Sequence, residues 1–148
     1  MDLPNRHYIL NDKGEPVPVS MDEYIKHANS DEYWKNKTVA RDYVSSKDGS
    51  ILTNKYDRLN EEPNNIMVST TFLGINHNHF SRASDAPILY ETMIFGGGLD
   101  NFQWRYSTRE EALIGHRKAL ARARCDGIGY GVIPADLEEE ISQEWWDE

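Results

Sequence analysis

Six short runs of apolar, β-branched and aromatic residues, several of them alternating with polar residues, predict β-strands. They are residues 7–10, 17–19, 38–44, 67–72, 88–95 and 102–106. The first two flank an Asn-Asp-Lys-Gly cluster, which predicts a hairpin, and Pro18 confines the second strand to a sheet edge. In the last run, Phe102, Trp104 and Tyr106 recur at every second position, so we expect these rings on the core side.

Two further segments have the period of an amphipathic helix. Ser20 and Glu23 are spaced as a capping box before a short helix of about two to three turns. Ser107 and Glu110 have the same spacing before a longer helix that ends at Asp126-Gly127. His116 falls in the middle of the apolar face of this longer helix, and the neighbouring Gly115 indicates that the helix backbone closely approaches another element.

The order of these elements predicts the fold class. Strands follow one another before the final helix, which favours an α+β fold over a parallel α/β sheet. We expect an antiparallel sheet of about five strands, with the long helix packed across one face and the short helix at an edge. The segment around Tyr33 and Trp34 and the polar residues 45–65 are predicted loops. Residues 1–133 would form one domain, and residues 134–148 an acidic amphipathic helix or tail.

Composition narrows the cellular setting. Cys125 is the only cysteine, which excludes an intramolecular disulfide and a cysteine-based zinc site and is typical of a reducing cytosol. The first residues lack the basic and apolar regions of a signal peptide, and no window approaches the ~20 apolar residues of a membrane span. We therefore expect a soluble protein that is not exported and does not contact a membrane.

The net charge of −9 is concentrated at the end of the chain, because seven of the 25 acidic residues, and no Lys or Arg, lie in residues 135–148. The remaining 18 acidic residues nearly balance 16 basic ones, so the body lacks the basic excess that nucleic-acid binding requires. In the tail, Leu137, Ile141 and Trp145 recur at four-residue spacing beside Trp146, which predicts either docking onto a partner or packing against the chain's own domain.

Glu91 is the most unusual position for chemistry, because it interrupts an otherwise apolar strand face, where an unpaired carboxylate is costly. Glu91 therefore needs either a partner or an opening to solvent. His116 and Arg41 are the candidate partners, and a Glu–His pair could perform acid–base chemistry. A structural pair is the favoured interpretation, since the sequence contains no recognisable nucleophile or second acid beside it.

The remaining candidate sites have weaker motifs. His77 and His79 would point the same way on an extended chain, but two histidines without further ligands do not make a metal site, and we expect no metal and no cofactor. Gly96-Gly97-Gly98 follows a strand, as phosphate loops do, yet lacks the Lys-Ser/Thr of a P-loop, so we interpret it as a wide turn.

Three phrases carry a family resemblance. They are VST-x-FLG-x-x-H at residues 68–77, ETM-x-FGG at residues 91–97 and RYST-x-EEA-x-x-GH at residues 105–116. In these phrases the chain resembles a family of small proteins of unassigned function that is common in tailed phages and prophages. The chain departs from that family at Asn76, where the family tends to have Asp, so any metal-ligand or base role of that Asp would be lost here.

The resemblance implies a phage-encoded accessory protein that acts in the cytoplasm of the host bacterium. The leading hypothesis is a non-catalytic protein that binds and inhibits a host or antiviral-defence protein, with a contribution from Leu137, Ile141, Trp145 and Trp146. A second hypothesis is a protein that sequesters a nucleotide between helix and sheet, using Glu91, Gly96, Gly97, Arg109 and His116. A metal-dependent or Glu–His enzyme is the third.

Overall fold

A computed structural model describes residues 5–53, 65–78 and 86–129 of the chain. Six strands and three helices form in these ranges. The first part of the chain contains β1 (His7–Leu10), β2 (Pro16–Val19), α1 (Met21–Ala28) and α2 (Asp31–Asn36). The second part contains β3 (Thr38–Val44), β4 (Ile66–Phe72), β5 (Tyr90–Phe95), β6 (Gln103–Tyr106) and α3 (Arg109–Cys125).

The α+β class and the antiparallel pairing are confirmed, but the single sheet of about five strands is wrong. The strands form two sheets, a β1–β2 hairpin and a four-stranded sheet in the order β3-β4-β5-β6. β1 is attached only beyond the end of β4, where Tyr8 N donates to Gly74 O and Asn76 N donates to Arg6 O. Pro16 and Pro18 have no N–H to donate, which limits β2 to an edge and the hairpin to two strands.

The long helix packs across the four-stranded sheet, as predicted. α3 contacts each of the four strands, and its small residues allow the close approach. One core cluster gathers Val44, Ile66, Val68, Ile94, Ala119 and Ala123 near the C-terminal half of α3. A second cluster gathers Tyr8, Phe72, Leu89, Tyr90 and Ala112 near its N-terminus. The hairpin contributes to this second cluster through Tyr8, so it is part of the folded body.

The capping of α1 is confirmed, whereas that of α3 is shifted by one residue. Ser20 Oγ accepts a hydrogen bond from Glu23 N at 3.2 Å, as a capping box requires. In α3 the N-cap is Thr108 and not Ser107, because Thr108 Oγ1 accepts from Glu111 N at 3.1 Å. Thr108 and Glu111 have the same spacing as the predicted pair, so the motif was correct and its register was not.

The segment around Tyr33 and Trp34 is a helix and not the predicted loop. Ser30 Oγ caps α2 by accepting a hydrogen bond from Tyr33 N. Asp31 and Glu32 lie in the first turn, where negative charge interacts favourably with the helix dipole. Six residues are too short for a clear amphipathic period, so only this capping signal could have identified α2.

The predicted tail at residues 134–148, His79 and residues 54–64 of the predicted loop lie outside the described residues. Within the described ranges, every helix is too short or too polar to cross a bilayer.

Candidate functional site

His116 lies at the centre of a buried chain of hydrogen bonds that joins four elements. Its side chain is buried against the sheet, with only 4% of the residue exposed. Nδ1 lies 2.7 Å from Thr70 Oγ1 on β4, and Thr70 Oγ1 lies 2.6 Å from Thr92 Oγ1 on β5. On the other side of the ring, Nε2 lies 2.7 Å from Asp42 Oδ2 on β3. The network therefore ties α3 to the three strands beneath it.

The chemistry of the partners determines the directions of these bonds. An ionised carboxylate only accepts, so Nε2 donates to Asp42. In the neutral ring, Nδ1 accepts from the Thr70 hydroxyl, which in turn accepts from Thr92. In the protonated ring, both hydrogen bonds reverse direction. Nδ1 then donates to the Thr70 hydroxyl, and the Thr70 hydroxyl donates to Thr92. The network thus satisfies His116 in either protonation state.

Asp42, His116 and Thr70 follow one another in the order of an acid–base–nucleophile triad, but the accessible end is the wrong one for catalysis. Thr70 and Thr92 are 0% exposed, whereas the Asp42 side chain is 36% exposed. A nucleophilic hydroxyl must reach the substrate, and here both hydroxyls are enclosed by the core. The arrangement stabilises the packing of α3 on the sheet and offers no accessible nucleophile.

Glu91 does not pair with His116 or Arg41, and this expectation was wrong. Successive residues of a strand point to opposite faces, so Thr92 faces α3 and Glu91 faces away from it. Glu91 instead lies directly across from Arg105 on β6, and Arg105 Nε donates to Glu91 Oε2 at 2.9 Å. This cross-strand ion pair supplies the partner that a carboxylate on that face needs.

In the turn formed by the triple glycine, two of the three amides donate within the protein. Gly96 N donates to Asp100 Oδ1 at 2.7 Å, and Gly98 N donates to Gly127 O at 2.7 Å. Gly97 has φ +71°, and a side chain there would collide with Gly127 O and Ile66. Backbone packing between this turn and the end of α3 therefore requires glycine at position 97.

The residues predicted to bind a nucleotide are not brought together. Arg109 begins α3, whereas Gly96 and Gly97 lie beside Gly127, just beyond the other end of the helix. A helix of 17 residues separates these ends by about 25 Å. His116 is enclosed between them, and Glu91 lies on the far face of the sheet. The described residues therefore contain no common pocket for this set.

Asn76 has a structural role that the sequence did not reveal. It is buried at 1% exposure, and its Oδ1 accepts from Asn78 N at 2.9 Å and from Ile88 N at 3.0 Å. Its Nδ2 donates to Asn5 O at 3.2 Å, which a carboxylate could not do. Asn76 thus joins the N-terminal segment to both ends of the β4–β5 connection. His77 is half-buried nearby, and no group of three His, Cys, Asp or Glu residues in the described ranges is placed to hold a metal ion.

Two neighbouring helices expose large apolar side chains. α1 has no buried residue, and Met21 and Ile25, one turn apart, are 59% and 50% exposed. On α2, which contacts α1, Trp34 is 65% exposed. We call Met21, Ile25 and Trp34 the α1–α2 surface. Acidic residues occupy the first turn of both helices, and Lys26 and Lys35 lie in their last turns, so four acidic side chains and two lysines accompany these apolar side chains.

No protein-family model matches the chain, and comparisons with curated proteins and with solved structures found no significant match. The resemblance to the phage proteins therefore rests on the three phrases alone. In the structure these phrases cover most of β4 and β5, the last two residues of β6 and the first half of α3, including Thr70, Thr92 and His116 of the buried network.

Proposed function

We propose that this chain is a phage-encoded accessory protein that binds and inhibits a host or antiviral-defence protein in the bacterial cytoplasm, without catalysing a reaction. The observation that carries the proposal is the α1–α2 surface. Large exposed apolar side chains on neighbouring elements are typical of protein-binding surfaces, and Trp is enriched among the residues that dominate binding energy.

The charge of this region indicates the kind of partner. The four acidic residues in the first turns of α1 and α2 outnumber Lys26 and Lys35 in their last turns, and the whole chain carries −9. These acidic residues are Asp22, Glu23, Asp31 and Glu32. A partner with an apolar pocket rimmed by Lys and Arg would be complementary, and basic surfaces that bind nucleic acid have this character. We propose that the chain covers such a surface. The tail residues Leu137, Ile141, Trp145 and Trp146 are a second proposed contact with the same partner.

The other two hypotheses receive less support from the geometry. An enzyme would need an accessible nucleophile or a paired acid and base in a cleft, whereas the hydroxyls next to His116 are enclosed and Glu91 is engaged by Arg105. Nucleotide sequestration would need Arg109, Gly96 and Gly97 around one pocket, and α3 separates them.

A comparison of two surface variants tests the proposal. The variant Met21→Gln/Ile25→Gln/Trp34→Gln removes the apolar side chains of the α1–α2 surface. Glutamine is compatible with a helix, so α1 and α2 should still form. Leu113→Gln/Ile114→Gln is the control, because these side chains are 39% and 56% exposed on α3. Each tagged variant would be expressed in bacteria, purified with its bound proteins at low and high salt, and assayed for inhibition of the protein that co-purifies.

We expect the wild type and the α3 control to retain the same partner and inhibit it, with binding that weakens as salt rises. The α1–α2 variant should lose both binding and inhibition at an unchanged melting temperature. Retention of the partner by the α1–α2 variant, or equal loss by both variants, would contradict the proposed surface.

A further inference from the structure

A cleft of about 380 Å³ opens between the end of the hairpin, α2 and the end of β4. Leu10 and Phe72 form an apolar part of its lining, and Tyr33 presents a buried ring. Asp12, Glu32 and Lys37 add charged groups to the same lining. A volume of this size falls at the lower end of the range of roughly 300–1,000 Å³ typical of small-molecule sites. The lining of this cleft contains none of the site residues that the sequence predicted.

Lys37 is a positioned cation in this cleft. Its Nζ lies 5.7 Å from the centroid of the Tyr33 ring and 5.2 Å from that of the Trp34 ring, so two aromatic faces hold the ammonium in place. The lysine is half-buried, and no carboxylate of the described ranges lies within ion-pair distance of it. A ligand anion at this point would find a cation whose position is already fixed.

The opposite charge is also present and also uncompensated. Asp12, in the hairpin turn, and Glu32, in the first turn of α2, both line the cleft and form no ion pair with a described residue. Burial and a hydrogen bond with Tyr24 raise the pKa of Tyr33, so its ring stays uncharged and adds no third negative group. Apart from His27, the lining therefore carries two negative charges and one positive charge.

We propose that this cleft binds a free amino acid with a neutral or basic side chain. The ligand carboxylate would pair with the Lys37 ammonium, and the ligand ammonium with Asp12 and Glu32. The side chain would lie against Leu10 and Phe72. The net negative lining favours a ligand of charge 0 or +1, and it repels an acidic amino acid or the dianionic phosphate of a nucleotide. This inference does not rest on the proposed protein partner, although Trp34 of the α1–α2 surface also contacts Lys37.

The test is calorimetric titration of the purified full chain with each of the 20 common amino acids and with adenosine monophosphate. We expect binding by neutral or basic amino acids, and none by aspartate, glutamate or the nucleotide. Lys37→Gln and Glu32→Gln should each weaken binding by about tenfold or more, because each removes one charge-assisted contact. Lys35→Gln on the same helix is the matched control and should bind as the wild type does, since Lys35 does not line the cleft.

Glu32 is exposed, so its substitution tests the site without threatening the fold. Absence of binding by every amino acid at millimolar concentration would overturn the proposal. So would binding by the nucleotide alone, or equal affinity in Lys37→Gln, Glu32→Gln and the wild type. A Met21→Gln/Ile25→Gln variant keeps Trp34, Lys37 and both carboxylates, so loss of partner binding with retained amino-acid binding in this variant would separate the two sites.

Discussion

Thr70 and His116 are 46 residues apart in the sequence, yet Thr70 Oγ1 lies 2.7 Å from His116 Nδ1 in the core. Thr70 also contacts Thr92, whereas Thr92 has no second hydroxyl or ring partner in this network. Thr70 is therefore the central link, and the two threonines are not equivalent although both are fully buried.

Replacement of the two threonines should show this asymmetry. Thr70→Val keeps the side-chain shape but leaves His116 Nδ1 unsatisfied, so we expect a loss of about 1–3 kcal/mol in the free energy of unfolding. Thr92→Val leaves the Thr70–His116 bond in place and should cost less. In a Thr70→Val background, Thr92→Val should lower the free energy of unfolding by less than it does in the wild type, because the bond between the two hydroxyls is already absent. Urea denaturation measures these differences, and equal, additive effects would contradict the network.

The register of the α3 cap gives a second prediction. Thr108→Ala removes the oxygen that accepts from Glu111 N and should cost about 1 kcal/mol. Ser107→Ala is the matched control and should change stability by less than about 0.5 kcal/mol, as is usual for a surface substitution that removes no cap. Thermal or urea unfolding compares the two variants. A larger loss of stability in Ser107→Ala than in Thr108→Ala would show that Ser107 is the N-cap, as the sequence predicted.

Two buried tyrosines should respond oppositely to removal of their hydroxyls. Tyr90 Oη is buried and has no hydrogen-bond partner among the described residues, and burial raises its pKa. Tyr33 is also buried, but burial and then its interaction with the Tyr24 hydroxyl raise its pKa. We expect Tyr90→Phe to be neutral or stabilising and Tyr33→Phe to lose about 1 kcal/mol, measured by urea unfolding. An equal loss in both variants would show that Tyr90 has a partner.

Gly115 tests how closely α3 approaches β6. A side-chain carbon at Gly115 would overlap the ring and hydroxyl of Tyr106. Gly115→Ala gains about 1 kcal/mol of helix propensity, but we expect a net loss of about 1–3 kcal/mol from overpacking. In a Tyr106→Leu background the same substitution should cost less, because the clashing ring atoms are gone. Stabilisation by Gly115→Ala in the wild-type background would mean that the contact is looser than described.

Cys125 predicts how stability changes at alkaline pH. Burial, and then the charge of Asp126, raise the pKa of the Cys125 thiol above its usual value near 9.0, and Arg124 only partly opposes this. The unfolded chain therefore loses this proton first, and the contribution is complete below the unfolded pKa and declines as the pH rises above it. We expect the free energy of unfolding to fall less steeply in Cys125→Ala than in the wild type as the pH rises above about 9.0. Identical slopes would contradict the shift.

The same burial predicts slow modification of the thiol in the folded protein, since the thiolate is the reactive form. Alkylation that is as fast in buffer as in denaturant would show that Cys125 is accessible. This measurement separates a loss of the pKa shift from a loss of burial.

Local rules, which need only neighbouring residues, were sufficient for much of the fold. Alternation placed Val68, Thr70 and Phe72 on the inner face of β4, and the capping-box spacing located the start of α1 at Ser20. The helical period put His116 on the packed face of α3, where it is buried. These predictions depend only on the periodicity of side-chain directions along a helix or a strand, which is visible in a short stretch of sequence.

Partners distant in sequence were decided only by the tertiary structure. Sequence periodicity assigned Glu91 to one face of β5, but only the β5–β6 register shows that Arg105 lies opposite it. Asp42 reaches His116 across 74 residues because β3 lies beside β4 under α3. The cleft with Lys37 likewise needs the hairpin, α2 and the end of β4 together. Such contacts depend on the order and register of strands and the docking of helices, which burial of the whole core selects and no local pattern encodes.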